Sequence, residues 1–176
     1  MTAVQMPPSL RDRIQAIDLM VLDVDGVLTA GGIVYGSQSG EASQEIKAFH
    51  VRDGSGLKRW HAVGKRSAIV TGRSSALVER RATELGIGMV LQGMEDKATG
   101  LKQVLAWAGL GPASVCYVGD DTPDVPAMRL AGLAVAVADA CPDAVAAAHY
   151  VTGAAGGAGA VRETIERVLR CQGRWR

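Results

Sequence analysis

Two aspartates separated by one residue, in Asp23-Val24-Asp25-Gly26-Val27-Leu28-Thr29, follow the apolar run of residues 19–22. A carboxylate in the first position can attack phosphorus as a nucleophile. A second carboxylate, two residues on, can donate a proton to the leaving oxygen and later remove one from water. One acid cannot do both jobs, so a pair is the minimum for this chemistry. Three further signals suit it. Thr71-Gly72-Arg73 offers a hydroxyl and backbone N–H groups to phosphate oxygens. Lys97 offers a compact cation able to neutralise nucleophile and phosphate together. Gly119-Asp120-Asp121-Thr122-Pro123-Asp124 crowds three carboxylates at one turn. So many like charges beside Asp23 and Asp25 repel one another unless a cation sits among them, and Mg²⁺, which takes oxygen ligands, fits that role. In this reading Asp23 and Asp120 are direct side-chain ligands and Asp25 contributes its backbone carbonyl. Asp121 and Asp124 act through water or by orienting Lys97.

These groups need a scaffold that sets them side by side. Short β-branched or apolar runs alternate with amphipathic stretches, the pattern of βαβ units on a parallel sheet. The spacing predicts strands over 19–24, 67–71, 89–92, 115–118, 134–137 and 150–152. Helices are predicted over 56–62, 74–85, 96–108, 122–131, 142–148 and 161–169. Glycines 86, 109 and 132 stand just past three of these helices, where a left-handed stop is expected. Each chemical signal then follows a strand or opens a helix, at the carboxyl edge where open α/β sheets bind ligands. The order of signals separates this chain from a phospho-accepting receiver domain, in which the lysine comes last; here Lys97 precedes the acidic cluster. Residues 32–51 break the alternation. They read as a projecting β-hairpin with a turn over 36–40, too short to form a cap with its own core. The Gly/Ala-rich segment 153–159 reads as a mobile loop leading into a terminal helix.

Composition narrows the partners. A chain of 176 residues fits one domain. A net charge of +1 with 21% charged residues recommends neither nucleic acid nor an anionic membrane, which leaves a small anionic substrate. Cys116, Cys141 and Cys171 form no paired motif and read as idle thiols in a reducing cytoplasm. No apolar run approaches the ~18 residues needed to cross a bilayer. With aromatic residues at only 4%, the core must be built from small aliphatic side chains.

Taken together, Asp23-Val24-Asp25-Gly26, Thr71-Gly72-Arg73, Lys97 and Gly119-Asp120-Asp121 make the chain resemble the haloacid dehalogenase superfamily of phosphatases. Within it the match is to the 3-deoxy-D-manno-octulosonate 8-phosphate phosphatase family, carried also by His50-Val51-Arg52-Asp53-Gly54, Leu91-Gln92-Gly93, Ala136-Val137-Ala138-Asp139-Ala140 and the glycine-rich stretch 156–163. The resemblance implies a capless Rossmann-like sheet flanked by helices, assembled as a homotetramer whose hairpins meet at the centre and whose active sites are completed by neighbouring subunits. It implies hydrolysis of that sugar acid phosphate through a phospho-aspartate, with Mg²⁺, in lipopolysaccharide precursor biosynthesis. A nine-carbon sialic-acid-type 9-phosphate is the alternative substrate, and a non-catalytic regulatory tetramer the alternative outside enzymes. By position it makes Asp23 the nucleophile, Asp25 the general acid/base, Thr71, Gly72 and Lys97 the phosphate ligands and Asp120 a metal ligand. Substrate contacts are implied at His50, Val51, Arg52, Asp53, Gly54, Lys58, Arg73 and Arg81. The chain departs from the family at Ala30, often Asp, at Ala158, often Lys or Arg, and in a hairpin a few residues longer.

Overall fold

The computed structural model describes residues 9–36 and 44–175. In chain order the elements are α1 (Leu10–Gln15), β1 (Leu19–Leu22), β2 (Val34–Gly36), β3 (Gln44–Ile46), α2 (Val51–Ala62), β4 (Arg66–Val70), α3 (Ala76–Leu85) and β5 (Met89–Leu91). They continue with α4 (Lys97–Ala108), β6 (Val115–Gly119), α5 (Val125–Leu130), β7 (Leu133–Ala136), α6 (Pro142–Ala147), β8 (Tyr150–Val151) and α7 (Ala160–Cys171).

Six strands form one parallel sheet in the order β5-β4-β1-β6-β7-β8, as the alternating pattern predicts. Strand β1 is central, and successive side chains leave opposite faces of it. Met20 and Leu22 join Leu57, Trp60, Val78 and Ile165 beneath α2, α3 and α7. Leu19 and Val21 join Leu101, Val104 and Met128 beneath α4 and α5. Both faces are therefore covered, which is why β1, β6 and β7 are apolar along their whole length. The chain winds from β1 to one edge of the sheet and returns through α4 to β6 on the other side of β1. That reversal of winding leaves a crevice at the carboxyl ends of β1 and β6.

The hairpin is present as a separate two-stranded antiparallel sheet, Val34 opposite Ile46. Its paired part is shorter than the predicted span of 32–51, and the predicted turn beyond Gly36 lies outside the described residues. Helix α2 begins at Val51, five residues earlier than predicted, so His50 to Gly54 form a helix start instead of strand and loop. Gly54 and Gly56, which argue against a helix there, sit where side chains of other helices approach closely. A Cβ on Gly54 would lie 2.6 Å from Arg81, and one on Gly56 3.1 Å from Arg162. The short α1, not expected, starts at a Ser9–Asp12 capping box.

The predicted loop mobility of 153–159 is corrected by the packing. Gly153 and Ala154 N–H groups bond the Glu163 carboxylate, Gly156 N–H bonds Asp139 and Gly157 N–H bonds the Val27 carbonyl. A Cβ on Gly156 would sit 1.7 Å from the Gly26 carbonyl oxygen. The segment is a fixed backing to the loop that carries Asp25.

Candidate active site

The loop after β1 is a tight coil: the N–H groups of Val27, Leu28 and Thr29 all converge on the Val24 carbonyl at 2.9–3.2 Å. Asp23 thereby ends β1, with its N–H bonded to Val118 O of β6, and its side chain is buried. Gly26 has φ of +90°, and a Cβ there would lie 2.0 Å from an Asp120 oxygen, so glycine alone allows the two loops to close on each other.

Lys97, first residue of α4, reaches back under the sheet edge. Its Nζ stands 2.8 Å from Asp23 Oδ2 and 2.7 Å from Asp124 Oδ1. Asp124, fully buried, also accepts from the Tyr117 hydroxyl at 2.8 Å, while its other oxygen accepts the N–H groups of Asp120 and Asp121 at 3.1 and 3.2 Å. All its acceptor sites face donors. It therefore aligns Lys97 and shapes the 119–121 turn instead of presenting a free oxygen. Of the two roles read for Asp121 and Asp124, orienting Lys97 belongs to Asp124. Asp121 is exposed and caps the following turn through Thr122 N–H at 2.8 Å.

Electrostatics follow from this crowding. Burial, then the Asp124 charge, raises Asp23 to about 6 despite Lys97. Burial, then the charges of Asp23 and Asp124, raises Asp120 to about 7. For Lys97 burial pulls downward, but the two carboxylates more than offset it and its pKa is raised. Asp23 Oδ1 and Asp120 Oδ1 are buried without a hydrogen-bond partner. Carboxylate oxygens of Asp23, Asp120 and Asp124 lie within 4.8 Å of one another. Two orphaned anionic oxygens in so small a space fit a hard divalent cation held by Asp23 and Asp120.

A cavity of about 420 Å³ opens over these groups, bounded by Asp23, Asp25, Thr71, Gly72, Arg73, Lys97, Asp120 and Asp121. Every catalytic and phosphate-binding residue singled out in the sequence is thus brought to one place, together with Arg73. The remaining expected substrate residues are not. Val51, Gly54, Lys58 and Arg81 border a separate cavity of about 530 Å³. Arg52 faces a third, with Ala158 and Arg162. Asp53 is turned inward, 1% exposed, its Oδ1 accepting the Arg162 N–H of α7 at 2.7 Å and its pKa raised by burial. His50 is the N-cap residue of α2 without a side-chain capping bond.

Two residues that sequence reasoning missed enter the site from the hairpin. Lys47 Nζ lies 2.5 Å from Asp25 Oδ1 and 3.6 Å from Glu45 Oε1. Glu45 also receives Arg73 at 2.8 Å and the Ser75 hydroxyl at 2.5 Å. Their i, i+2 spacing, charged on one face of a strand, was the available signal.

Comparison with known proteins follows the same lines. Residues 87–164 match a family of haloacid dehalogenase-like hydrolases. The 3-deoxy-D-manno-octulosonate 8-phosphate phosphatase of Salmonella typhimurium is 44% identical over 167 residues, which cover 95% of this chain and 87% of that protein. The Moraxella catarrhalis phosphatase of the same name, crystallised with a magnesium ion, a phosphate ion and a KDO molecule, superposes with a TM-score of 0.88 at 42% identity, covering 93% of this chain and 91% of that one. The cobalt-bound Haemophilus influenzae phosphatase gives a TM-score of 0.85 at 38% identity, covering 92% of each.

Proposed function

The chain belongs to the 3-deoxy-D-manno-octulosonate 8-phosphate phosphatases, haloacid dehalogenase-like hydrolases, and from that premise we propose that it hydrolyses 3-deoxy-D-manno-octulosonate 8-phosphate to the free sugar acid and phosphate. The observation that carries this reading at the site is the buried Asp23, pinned by Lys97 beside Asp120 at the floor of the one cavity that also holds Asp25 and Thr71. Asp23 attacks phosphorus to give a phospho-aspartate, with Lys97 neutralising charge and Thr71 and Gly72 holding phosphoryl oxygens. Asp25 donates a proton to the departing sugar oxygen. It then removes one from the water that cleaves the phospho-aspartate. Asp23, Asp120 and the Asp25 carbonyl would hold Mg²⁺, which when bound supplies Lewis-acid stabilisation of the phosphoryl oxygens. Arg73 faces the substrate's carboxylate or hydroxyl groups.

The separate cavity of Val51, Lys58 and Arg81 shares no bordering residue with the catalytic one. We assign those substrate contacts, with His50 to Arg52, to the site of a neighbouring subunit in a homotetramer; Asp53, turned inward onto the Arg162 N–H, supports the start of α7 instead. Exposed Ile33, Val34, Tyr35 and Ile46 give the hairpin an apolar surface for that assembly. No helix among the described residues is long and apolar enough to cross a membrane.

Phosphate release with Mg²⁺ from the eight-carbon substrate, a nine-carbon sugar acid 9-phosphate and p-nitrophenyl phosphate tests the proposal. The eight-carbon compound is expected to be preferred. Asp23→Asn is expected to leave no more than a few per cent of the rate while the protein stays folded, and a greater residue of activity would count against Asp23 as nucleophile.

A further inference from the structure

Lys47 is the least expected group at the site. It lies just past β3, on the hairpin, yet its side chain is only 3% exposed and its ammonium is directed at Asp25 Oδ1, 2.5 Å away. The other Asp25 oxygen faces Arg73 Nε at 3.5 Å. Glu45 ties the two cations together, bonding Arg73 and lying 3.6 Å from Lys47, and is itself anchored by the Ser75 hydroxyl at the start of α3. A free lysine side chain samples many rotamers, so a buried one held between two carboxylates is an ordered part of the site.

We propose that Lys47, with Glu45 as its anchor, is a positioning residue that holds the Asp25 carboxyl at the leaving oxygen. The proposal rests on the phosphatase reading above. Without Lys47, Asp25 is free to turn about its side-chain torsions, and the ammonium that faces the carboxylate formed by proton donation is lost. The step affected is one transfer: the proton moves from Asp25 to the bridging oxygen as the phosphorus–oxygen bond breaks and phosphorus joins Asp23. A sugar alkoxide cannot leave without that proton, whereas p-nitrophenolate can. Misplacing Asp25 must therefore slow the two substrates unequally, and damage to the nucleophile or phosphate pocket must slow them alike.

The test uses the full chain with Mg²⁺, reading leaving-group release in single turnovers at saturating excess of enzyme and, separately, KM from steady-state rates. Wild type, Lys47→Met and Glu45→Gln are compared on 3-deoxy-D-manno-octulosonate 8-phosphate and p-nitrophenyl phosphate. Lys47→Met is expected to slow release of the sugar at least tenfold more than release of p-nitrophenolate, with KM for each substrate changed less than threefold. Glu45→Gln, which keeps the lysine but frees it, should shift the same ratio in the same direction by a smaller factor, and reports on the idea even if Lys47→Met does not fold. Equal losses on both substrates, or a loss confined to KM, would overturn the positioning role while leaving the phosphatase reading intact. A wild-type protein inactive on both compounds would overturn the phosphatase reading itself.

Discussion

At the scale of single residues, the site is built on unfavourable electrostatics that the fold imposes. Asp23 is buried and Asp120 partly so, close to each other and to Asp124, so each holds its proton more tightly in the folded chain than in the unfolded one. The sign of the consequence is fixed. Unfolded, both acids ionise near the ordinary aspartate value of 3.8; folded, at about 6 and about 7. Between those values the native state binds more protons, so this contribution to stability falls as pH rises from about 4 through 7. A divalent cation reverses it by binding the ionised pair. In thermal melts with a chelator, the protein is expected to lose stability between pH 5 and pH 8, and Mg²⁺ is expected to raise the melting temperature at pH 8 and hardly at pH 5. Asp120→Asn should raise the chelated protein's melting temperature at pH 8 by roughly 2–4 °C, the shift that about 1 kcal/mol gives at this size, and should abolish the Mg²⁺ effect. An Mg²⁺ response equal at both pH values would contradict the assignment of these two acids.

At the scale of elements, the catalytic loop after β1 is positioned by segments far away in sequence. Glycines 156 and 157 lie against it with backbone touching backbone. A Cβ on Gly157 would come within 2.4 Å of the Ala30 nitrogen, and Gly157 also has φ of +62°. Glu163 holds one end of the glycine run and Asp53 the start of α7 at the other. Gly156→Ala is therefore expected to displace the Asp25 loop, with a stability loss of about 1–3 kcal/mol and a fall in kcat of tenfold or more. Gly111→Ala is the control, since a Cβ there meets nothing within 4 Å. Denaturant melts and steady-state rates on the two variants check this; matching behaviour would show that the glycine run is not a support. Expecting mobility from Gly and Ala content failed here because composition reports the freedom of a free chain, and the Asp139 and Glu163 carboxylates remove it.

At the scale of the whole molecule, the described strands of the hairpin carry an exposed apolar surface. Tyr35 is 63% exposed and Ile33, Val34 and Ile46 are each about half exposed, on a two-stranded sheet that is marginal when isolated. Light scattering is expected to give about four times the 18.3 kDa of one chain. Tyr35→Glu, which would bury a charge at the proposed hairpin interface, should shift the mass towards smaller species and reduce turnover, because in the proposed assembly Lys58 and Arg81 would no longer reach a neighbour's site. A wild-type monomer with full activity would remove that arrangement.

The parallel sheet, the order of its chemical signals and the identity of Asp23, Asp25, Thr71, Lys97 and Asp120 were legible in the sequence. Each depends on local rules: apolar runs bounded by glycine, and a functional group placed within three residues of a strand's end or, for Lys97, at the start of a helix. The six strands appear within a residue or two of where period and spacing put them. The start of α2 was not legible, because its two glycines read locally as helix breakers, while Arg81 and Arg162 approach them from other helices. Nor were the inward turn of Asp53 or the arrival of Glu45 and Lys47 at Asp25. These are contacts between residues up to about a hundred positions apart in the chain. Local propensity carries no information about such pairs; only the winding of the sheet and the folding back of the hairpin bring them within hydrogen-bonding distance.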